Sequence, residues 1–221
     1  MRTTPVRGRD WNACINPLAS ISGLRSLRAQ ESVATDAGFE ALSGSQTLEV
    51  FWARECPNFG SRGFVAFSRM PALRSLGVGC KNVDDDALAR LPEFPALREL
   101  TPIGVTDAGF RHVGQCRRLE RLTCMYCRDT TDVATEHVAA LQLTYYYAGL
   151  TKITDRSLVI LGRMASLEQV DLYECKRVTD AGLVFLAALP SLREVGLDGL
   201  PGVTLEGTRV FPSGVRVRYS T

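Results

Sequence analysis

Histidine is almost missing from this sequence: 221 residues hold two, His112 and His137. The side chain that most often moves protons near neutral pH is therefore scarce, and both copies fall in helix-like stretches where they read as exposed. Long apolar runs are missing too. The best candidate, Gly182 to Leu189, is too short to cross a bilayer and continues a helical pattern, so no membrane segment is expected. Arg2, Arg7 and Arg9 have no apolar stretch behind them, which argues against a secretory signal. Charge of one sign is nowhere concentrated. The 26 basic residues are interspersed with 24 acidic ones for a net charge of +2, which speaks against a nucleic-acid partner. The seven cysteines are odd in number and follow no disulfide-framework spacing, so a reducing, cytoplasmic setting is expected. Gly77 and Gly79 belong to no phosphate-binding fingerprint, and no cofactor is expected.

What the chain does contain is a repeat. Leu24, Leu48, Leu73, Leu97, Leu119, Leu143, Leu167 and Leu192 open eight segments spaced 22 to 25 residues apart. Three residues after each opener stands another apolar residue: Leu27, Phe51, Leu76, Leu100, Leu122, Tyr146, Val170 or Val195. Two further on come Ala29, Ala53, Val78, Pro102, Cys124, Ala148, Leu172 and Leu197. Such alternation predicts a short strand buried on one face. A second landmark keeps the same period. Thr35-Asp36, Thr106-Asp107, Thr131-Asp132, Thr154-Asp155 and Thr179-Asp180 sit near mid-segment, with Asp84-Asp85 in the third. Thr and Asp oxygens accept hydrogen bonds from free N–H groups at a helix start. Apolar residues then follow at helical spacing, as in Leu158, Leu161 and Met164. Each unit reads as strand, turn, capped helix and return.

The run Cys175-Lys-Arg-Val-Thr-Asp-Ala-Gly-Leu183, followed by Leu186 and Leu192, resembles the cysteine-containing leucine-rich repeat of F-box receptor proteins and their bacterial relatives. The resemblance covers about residues 24 to 205. It implies an α/β solenoid, with a curved parallel sheet on the concave side and helices on the convex side. One leucine-rich-repeat unit over 1–221 is expected: an N-terminal cap over 1–23, about eight repeats over 24–204, and a C-terminal cap over 205–221 ending in a strand at Val215 to Tyr219. The pattern departs from regularity at Pro102 in the fourth strand and at Gly60-Ser61, where the second repeat lacks Thr-Asp. No F-box-like segment precedes the array, so a ubiquitin-ligase substrate receptor stands only as an alternative by analogy.

Catalytic and metal residues are not assigned. Cys124-Met-Tyr-Cys127 invites a redox or metal reading, but both cysteines occupy inward repeat positions beside Cys56 and Cys175, and two further zinc ligands are wanting. They are expected to be buried and reduced, packing as small hydrophobes with S–H bonds to carbonyls. Asp84-Asp85-Asp86 lacks the spacing of a calcium loop and suits a helix start. The outward strand columns are richer. They carry Trp52, Met125, Tyr126, Tyr145, Tyr147, Asp171, Tyr173 and Glu174, together with Arg54, Ile103 and Arg121. Crowded tyrosines followed by acids predict a non-enzymatic module that binds a protein or peptide on its concave face. The competing reading is that the tyrosines pack on each other to cover the sheet.

Overall fold

The computed structural model describes residues 11–124 and 126–220. Among them nine short parallel strands form one sheet whose spatial order is their chain order. These are β1 (Ser26–Arg28), β2 (Val50–Ala53), β3 (Ser75–Gly79), β4 (Glu99–Ile103), β5 (Arg121–Thr123), β6 (Tyr145–Tyr147), β7 (Gln169–Asp171), β8 (Glu194–Gly196) and β9 (Arg216–Arg218). Parallel neighbours require each connection to leave the sheet and return, and short helices fill that return. After α1 (Trp11–Ile15) come α2 (Asp36–Leu42), α3 (Ser61–Ala66), α4 (Asp85–Leu88), α5 (Asp107–Val113), α6 (Asp132–Val138), α7 (Asp155–Leu161) and α8 (Asp180–Ala187). The architecture is a leucine-rich-repeat solenoid, with its core between the sheet and this helical layer.

The register follows from the apolar pattern. Leu27, Phe51, Leu76, Leu100, Leu122, Tyr146, Val170, Val195 and Val217 pair in one row across the sheet. A slip of one residue would turn this whole row to solvent, which is why the register is so uniform. Phe39 meets Phe51, Phe59 and Phe67 edge-on at 5.0–6.2 Å, so aromatics fill the early repeats where leucines fill the later ones. Pro102 sits inside β4 opposite Val78. It has no N–H to donate onward, and the pairing of β4 with β5 stops after Glu99–Arg121 and Leu100–Leu122.

The Thr-Asp landmark does more than cap. Thr131, Thr154 and Thr179 each accept an N–H from their own helix, as the sequence predicts, while Thr35 and Thr106 do not. The aspartate instead reaches across to the next repeat. Asp107, Asp132, Asp155 and Asp180 each accept the backbone N–H and the hydroxyl of the following threonine (Thr131, Thr154, Thr179 and Thr204) at 2.6–2.9 Å. Asn12 on α1 meets the same two groups of Thr35, accepting its backbone N–H and donating to its hydroxyl, both at 2.9 Å. The ladder changes partners at α4, where Asp85 bonds His112 at 3.0 Å and pairs with Arg111. His112 is accordingly buried, 8% exposed, rather than at the surface as its sequence position suggested. His137 is exposed.

Strand exits share a second regularity that the sequence did not announce. Glu31, Glu55, Tyr126, Leu150 and Glu174 take left-handed backbone conformations with φ of 52–64°, as do Gly104 and Gly199 at 79° and 70°. Five side chains thus accept a conformation that favours glycine, because each must turn sharply out of the sheet.

Candidate functional site

The cysteines resolve first. Cys124, Cys127 and Cys175 are 0%, 1% and 0% exposed and are free thiols. Cys56 departs from expectation in being only half-buried, since its turn faces open space beside Gly79. Three thiols donate to a carbonyl of the preceding repeat: Cys56 to Ala29 at 2.8 Å, Cys127 to Pro102 at 3.1 Å and Cys175 to Ala148 at 2.9 Å. Burial pushes the Cys124 and Cys127 thiols up, and that of Cys175 to about 11, so the thiolate needed for metal or redox chemistry is disfavoured. Among the described residues no three His, Cys, Asp or Glu side chains are grouped to hold a metal. No described helix is long and apolar enough to cross a membrane. Cys175→Ser should lower stability by about 1–3 kcal/mol, because it trades a soft apolar sulfur for a buried hydroxyl. An unchanged melting temperature would contradict the packing role.

The concave face is built from alternate strand residues. Its first column runs Ser26, Val50, Ser75, Glu99, Arg121, Tyr145, Gln169, Glu194 and Arg216; its second runs Arg28, Trp52, Gly77, Thr101, Thr123, Tyr147, Asp171, Gly196 and Arg218. Tyr145 and Tyr147 stand on β6, and Tyr173 follows β7. Arg121 lies over the Tyr145 ring at 4.1 Å from its centroid. Partial burial, helped by the Asp171 carboxylate, pushes the Tyr147 hydroxyl up to about 12. β6 and β7 are neighbouring strands, so the three tyrosines gather on adjacent repeats of one face. Tyr173 is 40% exposed and hydrogen-bonds Glu174, which raises its own pKa.

Not every sequence-derived candidate joins that cluster. Met125 lies outside the described residues. Trp52 is four strands away on β2, where its indole packs over Gly77 and leaves no room for a Cβ there. Its packing is the sheet-covering kind. Tyr126, 43% exposed, leans toward the early repeats and meets Arg54, which stands 6.0 Å from its ring centroid and 3.5 Å from its hydroxyl. Asp171 faces the concave side but is already held. Arg218 on β9 pairs with it and also reaches Glu194 at 3.0 Å and Asp198 at 3.5 Å. The sequence suggested free acids beside the tyrosines; Arg218 was missed because its pairing spans 47 residues. Among the described residues Glu174 pairs only with a distant cation, Lys176 at 4.0 Å.

No family model matches the chain, and no curated protein matches it by sequence. Solved structures share its fold. An internalin C2 from Listeria monocytogenes is 15% identical over 95% of this chain and 84% of its own, with a TM-score of 0.54. An internalin, inlF, from the same organism is 13% identical over 94% and 70%, with a TM-score of 0.51. TLR13 in a complex with ssRNA13 is 16% identical over 74% of this chain but 27% of its own, with a TM-score of 0.54. These similarities establish the leucine-rich-repeat architecture.

Proposed function

We propose that the chain is a non-enzymatic interaction module that binds a protein or peptide on its concave face, centred on Tyr145, Tyr147 and Tyr173. The observation carrying this reading is the tyrosine cluster itself: three partly exposed rings on two adjacent repeats. Tyrosine offers large contact area for little lost rotamer freedom, which is why it dominates binding hot spots. A protein or peptide suits the tyrosine cluster better than a nucleic acid, because the cations on its neighbouring strands, Arg121 and Arg218, are already engaged by Glu99 and by the Asp171 group. Glu174, loosely paired, is the acid left to orient a partner's cation.

Truncating Tyr147 or Tyr173 to alanine should weaken binding by about 2 kcal/mol, roughly 30-fold, with little change in folding stability. Glu174→Gln should chiefly slow association and reduce its salt dependence. Arg156→Ala serves as the control, since Arg156 is exposed on α7 of the convex side. The measurement is an affinity capture with wild type and these variants, followed by titration of the captured partner. Equal affinity of patch and control variants, all folded, would place the contact elsewhere and leave the tyrosines as sheet cover.

A further inference from the structure

Five glycines on or beside the concave sheet divide into two kinds. Gly77 and Gly149 are roofed by the rings of Trp52 and Tyr147, and Gly196 by the guanidinium of Arg218, leaving no room for a Cβ. At Gly79 nothing lies within 4 Å of an added Cβ, and the same holds for Gly104 at the next strand exit. Packing explains the first three. It does not explain Gly79, whose backbone is ordinary strand paired with Ile103 and whose column carries Arg54, Ile103 and Tyr173 in other repeats.

The missing side chains open a groove of about 550 Å³, the size of a side-chain or small-ligand site. Ile103, Gly79 and Gly104 line it together with Pro57, Cys56 and Tyr126, so its surface is mainly apolar. Arg54 and Tyr126 belong to strand exits three strands apart, about 14 Å at ordinary strand spacing. Their side chains meet across that gap, with a long 3.5 Å contact between guanidinium and hydroxyl. At the lip stands Lys81, exposed and with no ion pair among the described residues, while Arg54, Lys152 and Lys176 at other strand exits have carboxylate partners. The Arg54 guanidinium is already paired with Glu55 at 3.3 Å, so Lys81 is the cation left to complement a hydrophobic group next to negative charge.

We infer that this groove is an anchor pocket for an aromatic or large aliphatic side chain carried in an acidic peptide segment of the partner. The inference rests on the concave-face reading and adds to it the partner's chemistry. The anchor enters over Gly79 and Ile103 and parts the Arg54–Tyr126 contact, and a neighbouring carboxylate pairs with Lys81. A peptide is favoured over a free small molecule because the groove lies open along the strand exits, where a chain can continue past Tyr126 toward Tyr147 and Tyr173.

Cys56 provides the readout, being half-buried in the groove wall, and Cys14 on α1 is an exposed internal control. The full chain is alkylated with neutral iodoacetamide under mildly alkaline conditions, and each site is followed by mass spectrometry. The probes are acetyl-Glu-Asp-Trp-Glu-Asp-amide, acetyl-Lys-Arg-Trp-Lys-Arg-amide and indole-3-acetate. At about four times its Kd, the acidic peptide should slow labelling of Cys56 about fivefold and leave Cys14 unchanged. Gly79→Val has room for its side chain and suits a strand; it should fill the slot and abolish protection. Lys81→Glu, at the exposed lip, should favour the basic peptide instead, and it carries the test alone if Gly79→Val fails to fold. Equal protection by both peptides, protection by neither, or protection that survives Gly79→Val overturns the inference. Protection by indole-3-acetate but not by the acidic peptide also overturns it, in favour of a small-molecule pocket. A partner lost on Tyr147→Ala yet indifferent to Gly79→Val removes the groove while the concave-face reading stands. Protection by the acidic peptide, with every captured partner indifferent to Tyr147→Ala, removes that reading instead.

Discussion

Asp132→Ala should destabilise the fold by about 3 kcal/mol, a large effect for a residue that is not fully buried. Its carboxylate accepts the N–H and hydroxyl of Thr154 at 2.8 Å each, and also the N–H and hydroxyl of Ser157 on the next helix. The chain of bonds continues inward. With its proton given to Asp132, the Ser157 hydroxyl accepts from Thr135 at 2.9 Å, and Thr135 meets the hydroxyl of Tyr146 at 3.3 Å. Ser157, Thr135 and Tyr146 are each 0% exposed, so removing the outer anchor leaves buried polar groups short of a partner. Asp107→Ala loses only the two bonds to Thr131 and should cost about 1–2 kcal/mol. The pH dependence gives an independent check. Burial alone would raise the Asp132 pKa, but the hydrogen bonds from Ser157 and Thr154 outweigh it and hold the carboxyl below its ordinary value. A folded pKa below the unfolded one means stability that is complete above about pH 4 and lost as pH falls through the lowered value. Urea titrations of wild type and variant should therefore differ fully near neutral pH and converge in acid. A gap that stays constant down the acid limb would show that the carboxylate is not the cause.

Tyr146→Ala should cost about 3–5 kcal/mol, since it empties the largest fully buried side chain among the described residues. Its position belongs to the row filled elsewhere by leucine, valine or phenylalanine, so volume is the main contribution. Tyr146→Phe separates the hydroxyl from the ring and should cost about 1 kcal/mol. Because Tyr146 and Asp132 end the same chain of bonds, the double variant Asp132→Ala with Tyr146→Phe should be less damaging than the two single losses added together. Chemical denaturation of the four proteins measures this. Strict additivity would mean that the two ends do not communicate.

The solenoid was legible in the sequence because its physics is periodic. A single strand register and one buried row are demanded by leucines that recur at nearly constant spacing, and parallel pairing follows from strands that each return through a helix. The inward placement of Cys124, Cys127 and Cys175 was equally readable, since the repeat frame puts them where leucine and valine stand. Exposure was harder. His112 read as a surface residue because helical spacing does not show that the short α4 leaves Asp85 free to bond it. Cys56 read as buried because the frame says nothing of the open space beside Gly79.

The sequence by itself determined the fold class, the strand positions and the residues that face the concave side, all of which are local periodic properties. Only the tertiary structure decided which of those residues act together. The stacking of repeats brings Arg218 onto Asp171 and lets Arg54 meet Tyr126 across three strands. It also turns each Thr-Asp pair into a tie to the next unit. These relations join residues about 20 to 70 positions apart through side-chain reach and direction, which a period does not encode. The same limit applies to the groove: a glycine is visible in the chain, but whether a neighbour's ring covers it is settled by packing alone.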